Sequence, residues 1–93
     1  MKHCVIELFG VARQLAQKKE IDIELGAKAT IRDFLVALGK RVPALVGRVL
    51  TDDSRALISP YGLNLNGLTF IDDLEFQPND GDHILIMLPA AGG

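Results

Sequence analysis

Residues 83–93 read His83-Ile84-Leu85-Ile86-Met87-Leu88-Pro89-Ala90-Ala91-Gly92-Gly93. The first six are almost wholly apolar, the pattern of a central strand packed on both faces, or packed on one and docked on the other. Pro89 has no backbone donor and ends the strand. The tail that follows closes on two glycines. Glycine is about 7% of average sequence, so a pair at two set positions is roughly a one-in-two-hundred event. Lacking a side chain, such a backbone approaches another surface closely and takes up torsions closed to other residues. A tail of this kind can thread a narrow channel and present a terminal carboxylate to a partner's active site. A frayed end is the plain alternative. The rigid apolar strand directly upstream favours the functional reading.

Working outward, the question is what lies beside that strand. Residues 3–9 read as a strand with Cys4, Ile6 and Leu8 inward and Val5, Glu7 and Phe9 on the outer face. Gly10 ends it. Residues 20–25 alternate more cleanly, with Ile21, Ile23 and Leu25 on one side and Glu20, Asp22 and Glu24 on the other. The two form an antiparallel ribbon joined by a polar, loosely helical connection from Val11 to Lys19. A helix follows. Thr30 is its N-cap, with Asp33 in a capping-box position, and Ile31, Phe34, Leu35 and Leu38 recur at helical spacing. Gly39, Lys40 and Arg41 supply stop signals.

Pro43 then opens a second short helical turn to Leu50. Arg55 to Ser59 reads as extended, and Gly62 to Leu65 leads through Asn66-Gly67 into a return strand, Leu68 to Ile71. Asp72 to Gln77 is irregular, and residues 78–82 form a tight turn. A ribbon, a crossover helix and a returning strand set the last strand beside the first in parallel, with the helix across one face. The expected fold is therefore α+β: a β-grasp roll, a mixed sheet with one main helix packed across it. Residues 1–88 are expected to form a single domain, with 89–93 a flexible tail.

Composition narrows the function classes. The apolar share is 48% and the charged share 24%, ordinary for a globular chain. A net charge of −2 provides no basic stripe to track phosphates, so no nucleic-acid partner is expected. No stretch reaches the length of a membrane span, and no signal peptide opens the chain, so no membrane partner is expected. The single cysteine, Cys4, permits no intramolecular disulfide and fits a cytoplasmic location.

Taken in order, these elements resemble the MoaD/ThiS family of ubiquitin-like sulfur-carrier proteins. Leu8-Phe9-Gly10-Val11-Ala12-Arg13 is similar to the family's F-F-A-x-x-R start. Asn66-Gly67, the Asp80-Gly81-Asp82 turn and Pro89-x-x-Gly92-Gly93 recur at the expected places. The similarity spans essentially the whole chain, and its first segment is closest to the small subunit of molybdopterin synthase. The resemblance implies a substrate rather than an enzyme. A partner related to ubiquitin-activating enzymes, holding ATP and Mg²⁺ in its own site, adenylates the last glycine. Sulfur from a sulfurtransferase or cysteine desulfurase then replaces AMP, leaving a thiocarboxylate. The chemistry is sound, because a carboxylate resists nucleophiles whereas a mixed anhydride with AMP carries a good leaving group. No phosphate loop or dinucleotide fingerprint in the chain supplies an ATP or cofactor site of its own.

By resemblance, Gly93 carries the acyl-adenylate and the thiocarboxylate, and Gly92 keeps the approach narrow. Phe9 and Met87 match apolar contact positions on the first and last strands. With Ile84, Ile86 and Leu88 inward, Leu85 and Met87 fall outside beside Phe9, an apolar patch next to Pro89 and the tail. Arg13 matches a family position and suits contact with an acidic partner. Two positions depart from the family: Leu88 stands where a first proline is common, and Pro78 where leucine is usual, so that Phe76 or Leu74 is expected to fill that core place.

Plainer readings stand beside these. Phe9 and Met87 would serve equally as packing under a loop or within a self-dimer. Cys4 reads as a small core hydrophobe, without the cationic surroundings of a reactive thiol. His3, Cys4 and His83 approach one another if the first and last strands pair, but alternation puts His3 and Cys4 on opposite faces, so no metal site is expected. The Asp72, Asp73, Asp80 and Asp82 carboxylates read as turn formers.

The reading on residues is a sulfur carrier, most directly for the dithiolene of molybdopterin with a larger catalytic subunit. Alternatives are sulfur delivery to cysteine, thiamine or tRNA, a ubiquitin-like modifier joined to lysines, and a β-grasp interaction module with an inert tail.

Overall fold

A computed structural model of the chain describes residues 1–88. Strand β1 (Lys2–Leu8) pairs antiparallel with β2 (Glu20–Leu25), Cys4 facing Ile23 and Ile6 facing Ile21. The last strand, β5 (His83–Met87), lies on the other side of β1 and runs parallel to it, Ile6 beside Ile84 and Leu8 beside Ile86. Strand β3 (Gly62–Leu65) pairs antiparallel with β5, and β4 (Thr69–Ile71) closes the edge. The five-stranded order is β2-β1-β5-β3-β4, a mixed ubiquitin-like sheet with the first and last strands adjacent at its centre. The β-grasp arrangement expected from the sequence is the one found.

One face of this sheet is the floor of the core. Cys4, Ile6 and Leu8 of β1, Ile21 and Ile23 of β2 and Ile84 and Ile86 of β5 are all buried. Helix α2 (Ile31–Arg41) lies across them, burying Ile31, Phe34, Leu35, Leu38 and Gly39. Each large aliphatic or aromatic side chain removed from water here contributes about 1.5–3 kcal/mol. The helix starts where its sequence says it should. The Asp33 N–H donates to Thr30 Oγ1 at 3.3 Å, and the Thr30 N–H donates to Asp33 Oδ2 at 2.9 Å, a complete capping box.

The structure corrects the finer expectations. The connection after β1, expected to be loosely helical from Val11 to Lys19, is a regular but shorter helix, α1 (Gly10–Ala16), closed by Gln17 in the left-handed conformation. The stretch from Pro43 to Leu50 is helical only at Pro43–Leu45, a single 3₁₀ turn. Arg55 to Ser59 does not join the sheet: Thr51 N–H donates to Ala56 O and Ile58 N–H to Val49 O, so its hydrogen bonds go to a neighbouring loop. Leu88 lies beyond the end of β5 and is 50% exposed rather than core-facing. Pro78 itself is fully buried, while Phe76 is 39% exposed, so the proline fills the place assigned to a neighbour. Leu74 packs partly against the same core.

Two turns hold the central strands in place. Asn66 and Gly67 both take positive φ, 58° and 75°, which a tight hairpin turn demands and which glycine and asparagine tolerate best. The 78–82 turn is tied to β1: His3 N–H donates to Asp80 Oδ1 at 2.7 Å, and Gly81 N–H to His3 O at 2.7 Å. Together they fix where β5 begins and therefore where it ends. No helix among the described residues is long and apolar enough to cross a membrane.

Candidate functional site

The outer face of the sheet carries the candidate surface. Phe9 leaves β1 in an extended conformation, φ −128° and ψ 155°, as the N-cap of α1. Met87 ends β5, the parallel neighbour of β1. The two side chains, with Gly10 and Leu88, line one open depression of about 320 Å³. Leu85, two residues earlier on the same face of β5, borders a separate groove with Glu7, Asn66, Gly67 and His83. Phe9, Leu85 and Met87 are each half-buried. They are positioned by the sheet beneath them rather than by a loop.

Arg13 has neighbours within the chain. Its guanidinium carbon lies 5.5 Å from the centroid of the Phe9 ring, and its Nε donates to Leu8 O at 3.0 Å. A cation over an aromatic face is favourable by roughly 0.5–1 kcal/mol at a partly exposed site. The side chain thus pins the ring and the end of β1 together. Sequence reasoning reached the position but not this role, which depends on where helix α1 turns back.

Phe70 is a further member of the surface that alternation left unassigned. It lies on the edge strand β4, opposite Asn64, and is 59% exposed. A methyl group added at Gly62 would meet the Phe70 ring at 3.9 Å and the Met87 carbonyl at the same distance. The Phe70 ring thus lies near Gly62, the residue paired with Met87, and lines a separate depression with Leu65, Ile71 and Phe76. The signal in the sequence was the phenylalanine in the return strand of the Asn66-Gly67 hairpin.

Cys4 is buried, its Sγ donating to Asn79 O at 3.5 Å. Burial, seconded by the nearby Asp82 charge, pushes its thiol above the ordinary value. Such a thiol is a core group, as the sequence indicated, and not a nucleophile. His3 is exposed while Cys4 points inward, so the two stand on opposite faces. Pro89, Gly92 and Gly93 lie outside the described residues. What is described is the surface from which they depart: Leu88, the last residue before them, lines the same depression as Phe9 and Met87.

Comparison with known proteins agrees with the fold. The profile of the ThiS family matches residues 6–93. Among solved structures, SAMP1 from Haloferax volcanii is 27% identical with a TM-score of 0.82, over 98% of this chain and 99% of that one. The small archaeal modifier protein 1 from Methanosarcina acetivorans is 26% identical with a TM-score of 0.77, over 100% of this chain and 98% of that one. A putative molybdopterin converting factor, subunit 1, from Pyrococcus furiosus shares the fold at 23% identity and a TM-score of 0.79, over 97% of this chain and 100% of that one. No curated protein sequence gives a significant match.

Proposed function

The chain belongs to the ThiS family of small ubiquitin-like proteins, and on that premise we propose that it is a sulfur carrier acting through the carboxylate of Gly93. In this reading a ubiquitin-activating-type enzyme binds ATP and Mg²⁺, and the Gly93 carboxylate attacks the α-phosphate, releasing pyrophosphate. The resulting acyl-adenylate is attacked by sulfur from a sulfurtransferase or cysteine desulfurase. The attacking sulfur is the outer atom of the donor's persulfide, so AMP leaves to give an acyl disulfide. A second thiol then attacks the donor's sulfur, releasing the thiocarboxylate on the chain and a disulfide on the donor. That sulfur passes to an acceptor held by a larger catalytic subunit, of which the molybdopterin synthase type is favoured. The chain itself is substrate and co-subunit, not catalyst.

The observation that carries this reading is the position of the apolar depression. Phe9, Gly10, Met87 and Leu88 line it at the point from which residues 89–93 continue to the diglycine. A partner seated there holds the root of the tail, so that Gly92 and Gly93 reach its active site without a search. Pairing a rigid apolar anchor with a slim reactive end is the economical way to position a terminal carboxylate.

A second reading draws support from the likeness to the small archaeal modifier protein of Methanosarcina acetivorans: the same activated Gly93 is attacked by a lysine amine and forms an isopeptide bond. Incubation with activating enzyme, ATP and a sulfur source, followed by intact-mass spectrometry, separates the two. The carrier gains the mass of one sulfur for one oxygen, and deletion of Gly93 abolishes that gain while the circular dichroism spectrum is unchanged. Conjugates of higher mass with no such exchange favour the modifier. Equal sulfur loading of the truncated chain removes Gly93 from the chemistry.

A further inference from the structure

On the outer face of the sheet, away from the Phe9 depression, Glu7, Glu20 and His83 bring one donor atom each to within 4.8 Å of one another. They stand on β1, β2 and β5, three adjacent strands, so main-chain ladders hold their backbones. The register sets Glu7 directly opposite Glu20. Two carboxylates so placed repel each other. Among the described residues, no lysine or arginine lies within ion-pair distance of either. The nearest nitrogen donor is His83, whose Nδ1 is 4.0 Å from Glu7 Oε1. The His83 main chain is fixed: its backbone N–H donates to Asn66 Oδ1, and its carbonyl accepts from the Asn66 backbone N–H, both at 2.8 Å. Glu7 and His83 also border the open groove of about 340 Å³ that Leu85 lines.

The geometry points to a binding site for a first-row divalent cation of the zinc type, held by the Glu7 and Glu20 carboxylates and the His83 imidazole. One imidazole with two carboxylates is a donor set that such cations accept. Metal–ligand bonds near 2.0–2.2 Å put tetrahedral donors about 3.4 Å apart, so small rotations of three accessible side chains close the present 4.8 Å spread. The cation cancels the repulsion between the facing glutamates and ties β2, β1 and β5 together across their outer face. Its remaining coordination positions open onto the groove. The sequence pointed away from metal because it paired His83 with His3 and Cys4. The register sets His83 beside Val5, and its imidazole reaches diagonally to Glu7 instead. This site uses none of the residues assigned to sulfur transfer, although Leu85 of the docking patch lines the same groove.

Calorimetric titration of the full chain with Zn²⁺, together with thermal unfolding in its presence and absence, tests the site. One Zn²⁺ per chain is expected, with a rise in melting temperature because the cation binds the folded state. Glu7→Gln, Glu20→Gln and His83→Ala are each expected to weaken binding by at least about tenfold and to shrink the thermal shift. Glu20 is exposed, so its variant keeps the fold intact as a probe. His3→Ala, which removes the other exposed imidazole, is expected to change neither readout. Absence of saturable one-to-one binding at millimolar Zn²⁺ overturns the proposal, as does undiminished binding in all three variants.

Discussion

Phe9 shows how much one side chain settles at this surface. Its ring is half-buried at the end of β1, with the Arg13 guanidinium carbon 5.5 Å from its centroid. Phe9→Lys would place a second cation against Arg13 and bring a charge into an apolar contact, where it has no partner. We expect an unchanged fold and a loss of about 2 kcal/mol or more in binding the activating enzyme, roughly a 30-fold rise in Kd. Calorimetry with that enzyme measures it, and an unchanged Kd would take Phe9 out of the interface. Strict alternation made Phe9 and Met87 legible before any coordinates, because a strand residue's face follows from its parity alone. Pro78 and Arg13 were not legible in that way. The environment of Pro78 is set by a segment distant in sequence, since the 78–82 turn is tied to His3. Arg13 meets Leu8 and Phe9 only through the way helix α1 turns back.

Elements were readable in proportion to how much of their signal is local. Helix α2 carries its start in four residues and its buried face at regular spacing, so cap and core both matched. Thr30→Ala removes the side-chain acceptor for the Asp33 N–H and is expected to cost about 1 kcal/mol, read as a lower urea midpoint with unchanged slope. Thr30→Ser, which keeps the hydroxyl, should recover most of the loss. An alanine variant as stable as the parent would mean that packing of Phe34, Leu35 and Leu38 alone sets the helix start. Helix α1 was harder to recognise because its inward signal is only Ala12, with Leu15 and Ala16 packed at the margin. The segment 55–59 has strand-like residues but bonds to Val49 and Thr51, a partner choice that no local pattern encodes. The Glu7, Glu20 and His83 cluster was invisible for a related reason: it exists only once the register of three strands is known.

For the molecule as a whole, the decisive fact is that β1 and β5 run side by side in the same direction, so the end of each lies at the same edge. Helix α1 begins there at Gly10, and the chain leaves there at Leu88. On the proposed function the anchor and the start of the tail are one place, and the five residues 89–93 would separate docking from chemistry. If that distance is a measure set by the fold, lengthening it should spare one property and damage the other. Two glycines inserted between Leu88 and Pro89 leave Phe9, Leu85, Met87 and Gly93 present and untouched. Affinity for the activating enzyme should then stay within about twofold, because the apolar contacts carry it. The rate of thiocarboxylate formation should fall by about a hundredfold, because a reacting group held even 1 Å off its productive position loses that much. Parallel calorimetry and single-turnover mass spectrometry read the two quantities separately. Equal rates in the lengthened chain would mean that the partner grips the diglycine itself, and that the depression at Phe9 and Met87 does not position the tail.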